Sequence, residues 1–326
     1  MDKKVPFTGR EAVAAEKGKK LTKRLVQFAL KDPQPLPYHN EPIYMDGRNV
    51  GYITSAGYSF TEKCAIGMGY VKHPEGVDQA LIDGSTFEIE VADKKVPARA
   101  RLKLAFIRCR DLQASPAARL QAFANELRRL RPHFAEAVDA LVNRLVQSDA
   151  GATAPKLGEP MPEFLLPDEQ GRLVRLYDLL GEGPVAIAFN RGQWCPHCRI
   201  NVDALARAEE EVATEHRHIA AIVPDRQKFA MRLKSDTKAP FPVLTDVDGD
   251  AMSLGLAFSV GDQMKHMMVN SGWDPSVSRG TDNWTLPIPA TFIVGTDGIV
   301  HARFVDPDYR TRMAIDDMLE ALRSAR

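Results

Sequence analysis

The feature that most narrows the fold is a junction in the second half of the chain. Pro184-Val-Ala-Ile-Ala-Phe-Asn190 is an unbroken apolar run, and Gly192-Gln-Trp-Cys195-Pro-His-Cys198 follows it closely. A strand this apolar has to be covered on both faces, as a central strand of a parallel sheet is. From Pro196 towards Thr214 the chain reads as a helix, with proline at its first position. From about Lys156 onward, strand alternates with helix, which predicts a mainly parallel sheet. Ile219–Val223 is the next buried strand, followed by a helix near Arg226–Lys234. Thr291–Val294 and Ile299–Phe304 make a hairpin across Thr296-Asp-Gly, and a last helix runs near Met313–Leu322.

This placement has a chemical consequence for Cys195. The first turn of a helix carries unpaired N–H groups and the positive end of the dipole, both of which favour a thiolate. Arg191, His197 and Arg199 add positive or polarisable groups, so Cys195 is expected to titrate below the ordinary thiol value of about 8.5. Cys198 lies one helical turn on, more shielded and within reach of a disulfide to Cys195. A zinc site would need two more ligands, and Cys64 and Cys109 lie outside this half with no close pairing. The pair therefore reads as redox-active, with no metal and no cofactor expected. Cys64 and Cys109 read as inert thiols buried in apolar strands.

The 326 residues predict about two domains. Their 43 basic and 43 acidic side chains cancel, so charge provides no reason to seek nucleic acid or an anionic membrane. No apolar stretch is long enough to span a bilayer. Basic residues near Met1 are not followed by an apolar segment, so no secretory signal is expected. With four cysteines, too few for a disulfide framework, a reducing, cytoplasmic setting is expected.

Three stretches differ in texture. Residues 1–110 carry short β-like runs with turn signals at Asp46-Gly47 and Asp83-Gly84, and Phe87, Ile89 and Val91 alternate with polar residues. They predict a small antiparallel β-barrel. Residues 111–155 are helical, with Ser115 as N-cap, Pro116 at the first position and an interruption at Pro132. The apolar face of the second helix is Val138, Leu141, Val142 and Leu145, and Ser148–Pro155 reads as a linker. Residues 156–326 form the α/β domain. Within it, Ser259–Thr285 is an insertion carrying Trp273 and Trp284, expected to lie near the cysteine pair and shape access. Met264, Met267 and Met268 in it are spaced for packing. His216 and His218 read as a solvated helix end rather than metal ligands.

Two resemblances follow from these residues. Pro160-Met-Pro-Glu-Phe, Phe189-Asn-Arg-Gly-Gln-Trp-Cys-Pro-His-Cys198, Phe241-Pro-Val-Leu-Thr-Asp, Leu286-Pro-Ile-Pro-Ala-Thr-Phe and Phe304-Val-Asp-Pro-Asp-Tyr resemble the peroxiredoxin-like alkyl hydroperoxide reductase/thiol-specific antioxidant family. The resemblance implies a thioredoxin-like α/β fold and a thiol-dependent peroxidase. In it Cys195 attacks hydrogen peroxide or an organic hydroperoxide, and Cys198 resolves the product to a disulfide. Thioredoxin, glutathione or a similar thiol would be the reductant, Arg191, Trp194, Pro196 and His197 would support the pair, and a homodimer is one assembly open to the chain. In thioredoxin-like folds a cis-proline stands beside the pair, and Pro289 fits that place. The family pattern has threonine three residues before the reactive cysteine, where this chain has Gly192, and arginine before the penultimate strand, where it has Pro289. Both departures keep a second reading open, a thioredoxin-like thiol-disulfide oxidoreductase.

Asn40-Glu-Pro-Ile-Tyr-Met-Asp-Gly-Arg-Asn-Val-Gly, Ile66-Gly-Met-Gly-Tyr-Val and Val96-Pro-Ala-Arg resemble the C-terminal barrel of the glycine-cleavage T-protein/dimethylglycine dehydrogenase family, and Phe7-Thr-Gly-Arg-Glu-Ala fits its approach. That resemblance implies a barrel bordering a folate site built by other domains. Here it leaves a structural or docking module, or a folate- or partner-binding one.

Overall fold

A computed structural model describes residues 20–59, 63–102, 105–249, 254–269, 275–281 and 284–325. The Phe7 approach segment and Trp273 fall outside them. The chain divides after Leu104 into two compact units.

The first unit is a closed antiparallel barrel. Its strands are β1 (Lys23–Leu30), β2 (Pro42–Met45), β3 (Arg48–Ser59), β4 (Cys64–Lys72), β5 (Phe87–Val91) and β6 (Lys94–Arg101), in the order β1-β4-β3-β2-β5-β6. Pairing of β1 with β6, Phe28 opposite Ala100, closes the ring and leaves no free edge. Phe28, Ile43, Ile53 and Ile89 are fully buried and fill the interior. Asp46-Gly47 is the expected tight hairpin: both residues have positive φ, 49° and 79°, as a type I′ turn requires. Asp83-Gly84 is not a hairpin. It ends helix α1 (Gln79–Gly84), which Asp78 caps by accepting the Leu81 N–H. The second tight hairpin is Ala92-Asp93, with φ 49° and 59°, and carries no glycine to announce it.

The second unit opens with helices α2 (Ala105–Arg110), α3 (Pro116–Leu130) and α4 (Pro132–Gln147). Ser115 Oγ accepts the Ala118 N–H at 3.2 Å, so the expected N-cap is formed. Val138, Leu141, Val142 and Leu145 are buried on α4 as their spacing predicts. Cys109 is buried on α2, a helix rather than the expected strand, whereas Cys64 is buried at the start of β4. Residues 148–155 form a packed turn with Ala154 fully buried, its carbonyl and that of Pro155 taken by Arg303 at 2.9 and 2.8 Å.

The α/β core follows. It comprises the β7 (Leu165–Pro167) and β8 (Leu173–Arg175) ribbon, α5 (Leu176–Glu182), β9 (Val185–Phe189), α6 (Pro196–Val212), β10 (His218–Val223), α7 (Gln227–Thr237) and β11 (Val243–Thr245). After these come β12 (Ala257–Ser259), α8 (Asp262–Val269), α9 (Pro275–Arg279), β13 (Thr285–Pro287), β14 (Ala290–Val294), β15 (Val300–Val305) and α10 (Ile315–Ser324). The main sheet has the order β11-β10-β9-β14-β15. Strands β9, β10 and β11 are parallel, and β14 and β15 run against their neighbours. Every residue of β9 is buried, with Ile187 and Phe189 in one core layer and Ala186 and Ala188 in the other, as its unbroken apolar run demands.

Candidate active site

Strand polarity decides what meets at one edge of this sheet. The carboxyl end of β9 leads into Asn190–Cys195, and the carboxyl end of parallel β10 leads into Asp225 at the same edge. Ala290 pairs with both Phe189 and Val305, so Pro289 and the loop from Asp306 to Arg312 come to that edge as well. Carboxyl ends of strands are where α/β sheets hold their ligands.

Cys195 is the N-cap of α6 and Pro196 its first residue, with no N–H to leave unpaired. The Cys195 N–H donates to Gly192 O at 3.2 Å and closes the turn. Both thiols are free and buried, Cys195 1% and Cys198 0% exposed. The hydrogen-bond donors converge on Cys198: the Arg191 backbone N–H reaches its sulfur at 3.3 Å and Arg312 Nη2 at 3.4 Å. Burial alone would push the Cys198 thiol up. The hydrogen bond from Cys195, the Arg312 cation and the Arg191 N–H outweigh it and bring that thiol down to about 6. Burial pushes the Cys195 thiol up, and sharing its proton with Cys198 pushes it further. In the reduced pair one negative charge therefore rests on Cys198, with Cys195 donating to it. The expectation drawn from the helix terminus alone placed that charge on Cys195; the arginine from the far end of the domain moves it.

His197 lies between the two cysteines and is 2% exposed, its ring edge-on to Phe123 at 5.1 Å and Tyr309 at 5.2 Å. Burial, with Arg312 and Arg191 nearby, holds its imidazole well below the usual range and hence neutral at pH 7. Arg191 is 3% exposed and spreads its guanidinium over Tyr309 at 3.9 Å and Trp194 at 5.0 Å. Trp194 Nε1 donates to Arg191 O at 3.1 Å, which fixes the turn from the other side.

Pro289 is buried beside the turn, but its peptide bond is trans, as are all peptide bonds among the described residues. The expected cis-proline is thus absent: Ile288 and Pro289 join β13 to β14, with Ile288 N–H donating to Leu256 O at 2.7 Å.

Gly192 explains a departure noted in the sequence. Its φ is 130°, and a Cβ there would lie 2.7 Å from Asp225 Oδ2 and 2.7 Å from Trp194 Nε1. The Asp225 carboxylate already fills the space that a threonine would need. Asp225 is fully buried and accepts the Gln193 N–H at 2.6 Å. Burial raises its carboxyl to about 6, against the Gln193 hydrogen bond and the Arg279 cation. The insertion reaches the site through this residue. Arg279 of α9, 2% exposed, interacts with Asp225 and Asp246, and Arg226 donates from N–H and Nη2 to the carbonyls of Ser278 and Val277 at 2.9 and 2.8 Å. Met264 and Met268 are buried on α8 in the domain core, which is a packing role.

Asp225 and Arg312 are the residues that sequence reading missed. Asp225 stands two residues beyond a buried strand, a position that could have been singled out. Arg312 carries no local signal, since its partner is 114 residues away.

Residues 157–303 match the AhpC/TSA family model, and residues 23–107 match that of the glycine cleavage T-protein C-terminal barrel domain. That AhpC/TSA match lies within the second unit. The second unit carries a thioredoxin-like fold, preceded in the chain by a T-protein-type barrel. The barrel region is similar to the mouse (Mus musculus) pyruvate dehydrogenase phosphatase regulatory subunit, 32% identical over 113 residues, 31% of this chain and 13% of that protein. It is also similar to the aminomethyltransferase of Halothermothrix orenii, 33% identical over 104 residues, 32% of this chain and 27% of that protein. The chain thus spans about an eighth to a quarter of these relatives. Among solved structures, the Mycobacterium tuberculosis peroxidoxin BcpB is 22% identical with TM-score 0.41, covering 53% of this chain and 99% of that one. A thiol:disulfide interchange protein from Chlorobium tepidum is 15% identical with TM-score 0.34, covering 53% and 99%. No helix among the described residues is long and apolar enough to cross a membrane.

Proposed function

We propose that the AhpC/TSA domain is a thiol-dependent peroxidase that reduces hydrogen peroxide or small organic hydroperoxides. The observation that carries this reading is the burial of both sulfurs, 1% and 0% exposed, against two arginines. A brief opening of the Gly192–Trp194 turn admits a small peroxide, whereas a disulfide on a folded partner needs a larger rearrangement to reach the sulfurs.

The chemistry follows from the shared proton. When the proton in the Cys195–Cys198 hydrogen bond shifts to Cys198, Cys195 becomes the thiolate. It attacks one peroxide oxygen, the O–O bond breaks, and the departing alkoxide takes a proton and leaves as alcohol or water. Cys195 is then a sulfenic acid. Cys198 attacks that sulfur, expels water and forms the disulfide, and one equivalent of a dithiol such as thioredoxin, or two of a monothiol such as glutathione, return both cysteines. Arg191 and Arg312 favour the negative charge at each stage.

The test is a rapid-quench reaction of the reduced chain with peroxide, followed by intact mass. Oxidation far faster than that of a free thiol, ending in a Cys195–Cys198 disulfide, supports the peroxidase. Oxidation at the free-thiol rate overturns it. Gly192 favours one second reading, thiol-disulfide exchange, because no hydroxyl stands there to receive a peroxide. It predicts reduction of insulin disulfides faster than peroxide consumption. The barrel is proposed as a structural or docking module rather than a folate site, because its interior is taken up by its own side chains. Folate-induced thermal stabilisation of the full chain would reverse that assignment.

A further inference from the structure

An open cleft of about 620 Å³ lies between α3 and the loop after β15, and Arg312 is among the residues that line it. Three acidic residues line the cleft, and all are engaged. Asp139 is held by Arg128 at 2.8 Å and Arg310 at 2.6 Å, and Asp308 by Arg310 at 2.8 Å. Asp306 accepts the Asp308 N–H at 2.7 Å and the Thr311 hydroxyl at 2.8 Å. Arg312 is different. It donates to the carbonyls of Tyr309 and Thr311 and to the Cys198 sulfur, and no carboxylate pairs with it among the described residues. The counter-charge of this half-buried cation is the Cys198 thiolate.

That counter-charge exists only in the reduced state. Once Cys198 is joined to Cys195, its sulfur is neutral and Arg312 loses the anion it touches. Asp306, a carboxylate that no cation pairs among the described residues, lines the same cleft without contacting Arg312. A buried or half-buried charge left without a partner is costly, and the cheapest remedy is an anion from solution. The anion is wanted after oxidation, so the occupant is a reductant, not the peroxide. On the proposed redox cycle, on which this inference rests, we propose that the cleft binds a small carboxylate-bearing thiol, with its carboxylate on Arg312, preferentially in the disulfide form.

The reaction then balances. Cys195 does not itself line the cleft, so the attack waits for the cysteine turn to open; the bound thiolate then attacks the Cys195 sulfur, a mixed disulfide forms, and the electron pair of the broken S–S bond goes to Cys198. Leaving as a thiolate held by Arg312 and the Arg191 N–H, Cys198 is a good leaving group. It also reclaims Arg312, which frees the carboxylate. A second thiol attacks the mixed disulfide, releases the symmetrical disulfide and returns Cys195, with protons taken from solvent.

The test uses the full chain with S-methylglutathione, which carries the carboxylates but cannot react. One sample is oxidised to the Cys195–Cys198 disulfide with diamide and the other fully reduced, so neither depends on peroxide. Titration calorimetry is expected to give at least about tenfold tighter binding to the oxidised chain, since coupling between sites commonly reaches that size. Arg312→Gln should remove the preference. Gln121→Glu, a charge placed on the exposed α3 wall, should weaken binding without touching the cysteine pair. Equal affinity for both redox states, no binding to the oxidised chain, or unchanged binding in both variants overturns the inference. Redox-dependent binding in a chain that consumes no peroxide would leave the cleft assignment standing and remove only the peroxidase reading.

Discussion

Arg312 Nη2 lies 3.4 Å from the Cys198 sulfur, although 114 residues separate them in the chain. The contact exists because Ala290 pairs with Val305 on one side and Phe189 on the other, which brings the segment after β15 to the cysteine turn. Removing the cation should move the charge. In Arg312→Gln the Cys198 thiol is expected to rise by about one unit or more, the usual effect of a close opposite charge. The ultraviolet absorbance of the thiolate, followed against pH in the reduced chain, measures it directly; an unchanged titration midpoint would exclude this role.

The same depressed thiol ties stability to pH. Folded, Cys198 titrates at about 6, whereas an unfolded thiol does so near 8.5. The unfolded chain holds the proton across that window, so the folded reduced chain gains stability as pH rises through it and loses that gain as pH falls back to 6. Urea unfolding of the reduced chain and of Cys198→Ala, at both ends of the window, should show their difference growing towards the alkaline end.

Asp225 has the opposite sign. Its folded carboxyl titrates at about 6, above the usual carboxylate value of about 3.9. Stability is therefore lost as pH rises from 4 to 6. Asp225→Asn keeps an oxygen for the Gln193 N–H but cannot ionise. Relative to the parent chain it should gain on the order of 2 kcal/mol between the ends of that window. Equal pH profiles for the two proteins in urea unfolding would show that Asp225 ionises normally.

Gly192 cannot be exchanged for the threonine of the peroxiredoxin-like pattern that the chain resembles. A side chain would sit at φ 130° and press on Asp225 Oδ2 from 2.7 Å. Gly192→Thr should cost about 2 kcal/mol or more in unfolding free energy, with no gain in peroxide rate. A faster and equally stable variant would mean that the turn adapts.

Cys195→Ser should abolish turnover with peroxide. Cys198→Ser should give one round of oxidation, stopping at a sulfenic acid that a dimedone-type trap detects by mass. Full turnover in the serine variant at 195 would transfer the nucleophile's role to Cys198, the sulfur that bears the charge at rest.

Asp203 accepts Arg119 Nη1 at 2.7 Å and so joins α3 to α6 with the arginine only 4% exposed. Asp203→Ala strands that cation and should cost about 3 kcal/mol. Asp203→Asn, which still accepts a hydrogen bond, should cost less.

What was legible in the sequence was whatever is coded locally. The apolar run before Asn190 located the central strand, Ser115-Pro116 located a helix start, and the cysteine spacing located the reactive turn. The Ala92-Asp93 hairpin was hidden because alanine is not a habitual host of positive φ and no glycine follows; the pairing of β5 with β6 imposes it. Asp83-Gly84 misled for the converse reason, since Asp78 caps a short helix that runs through both residues. The charge on the cysteine pair was illegible because it depends on Arg312, and no window of sequence contains both. Tyr309, noticed only as part of a motif, proves to be the surface on which Arg191 lies.

The burial of both sulfurs, 1% and 0% exposed, also sets a ceiling on speed. An oxidant cannot react on every collision; it must wait for the Gly192–Trp194 turn to breathe. Turnover at high peroxide should then level off at the breathing rate, and that rate should be readable from hydrogen exchange at the Cys195 amide. On the proposed peroxidase reading, the same wait limits irreversible over-oxidation, which needs a second peroxide to arrive within one opening. A chain built this way trades haste for a long working life.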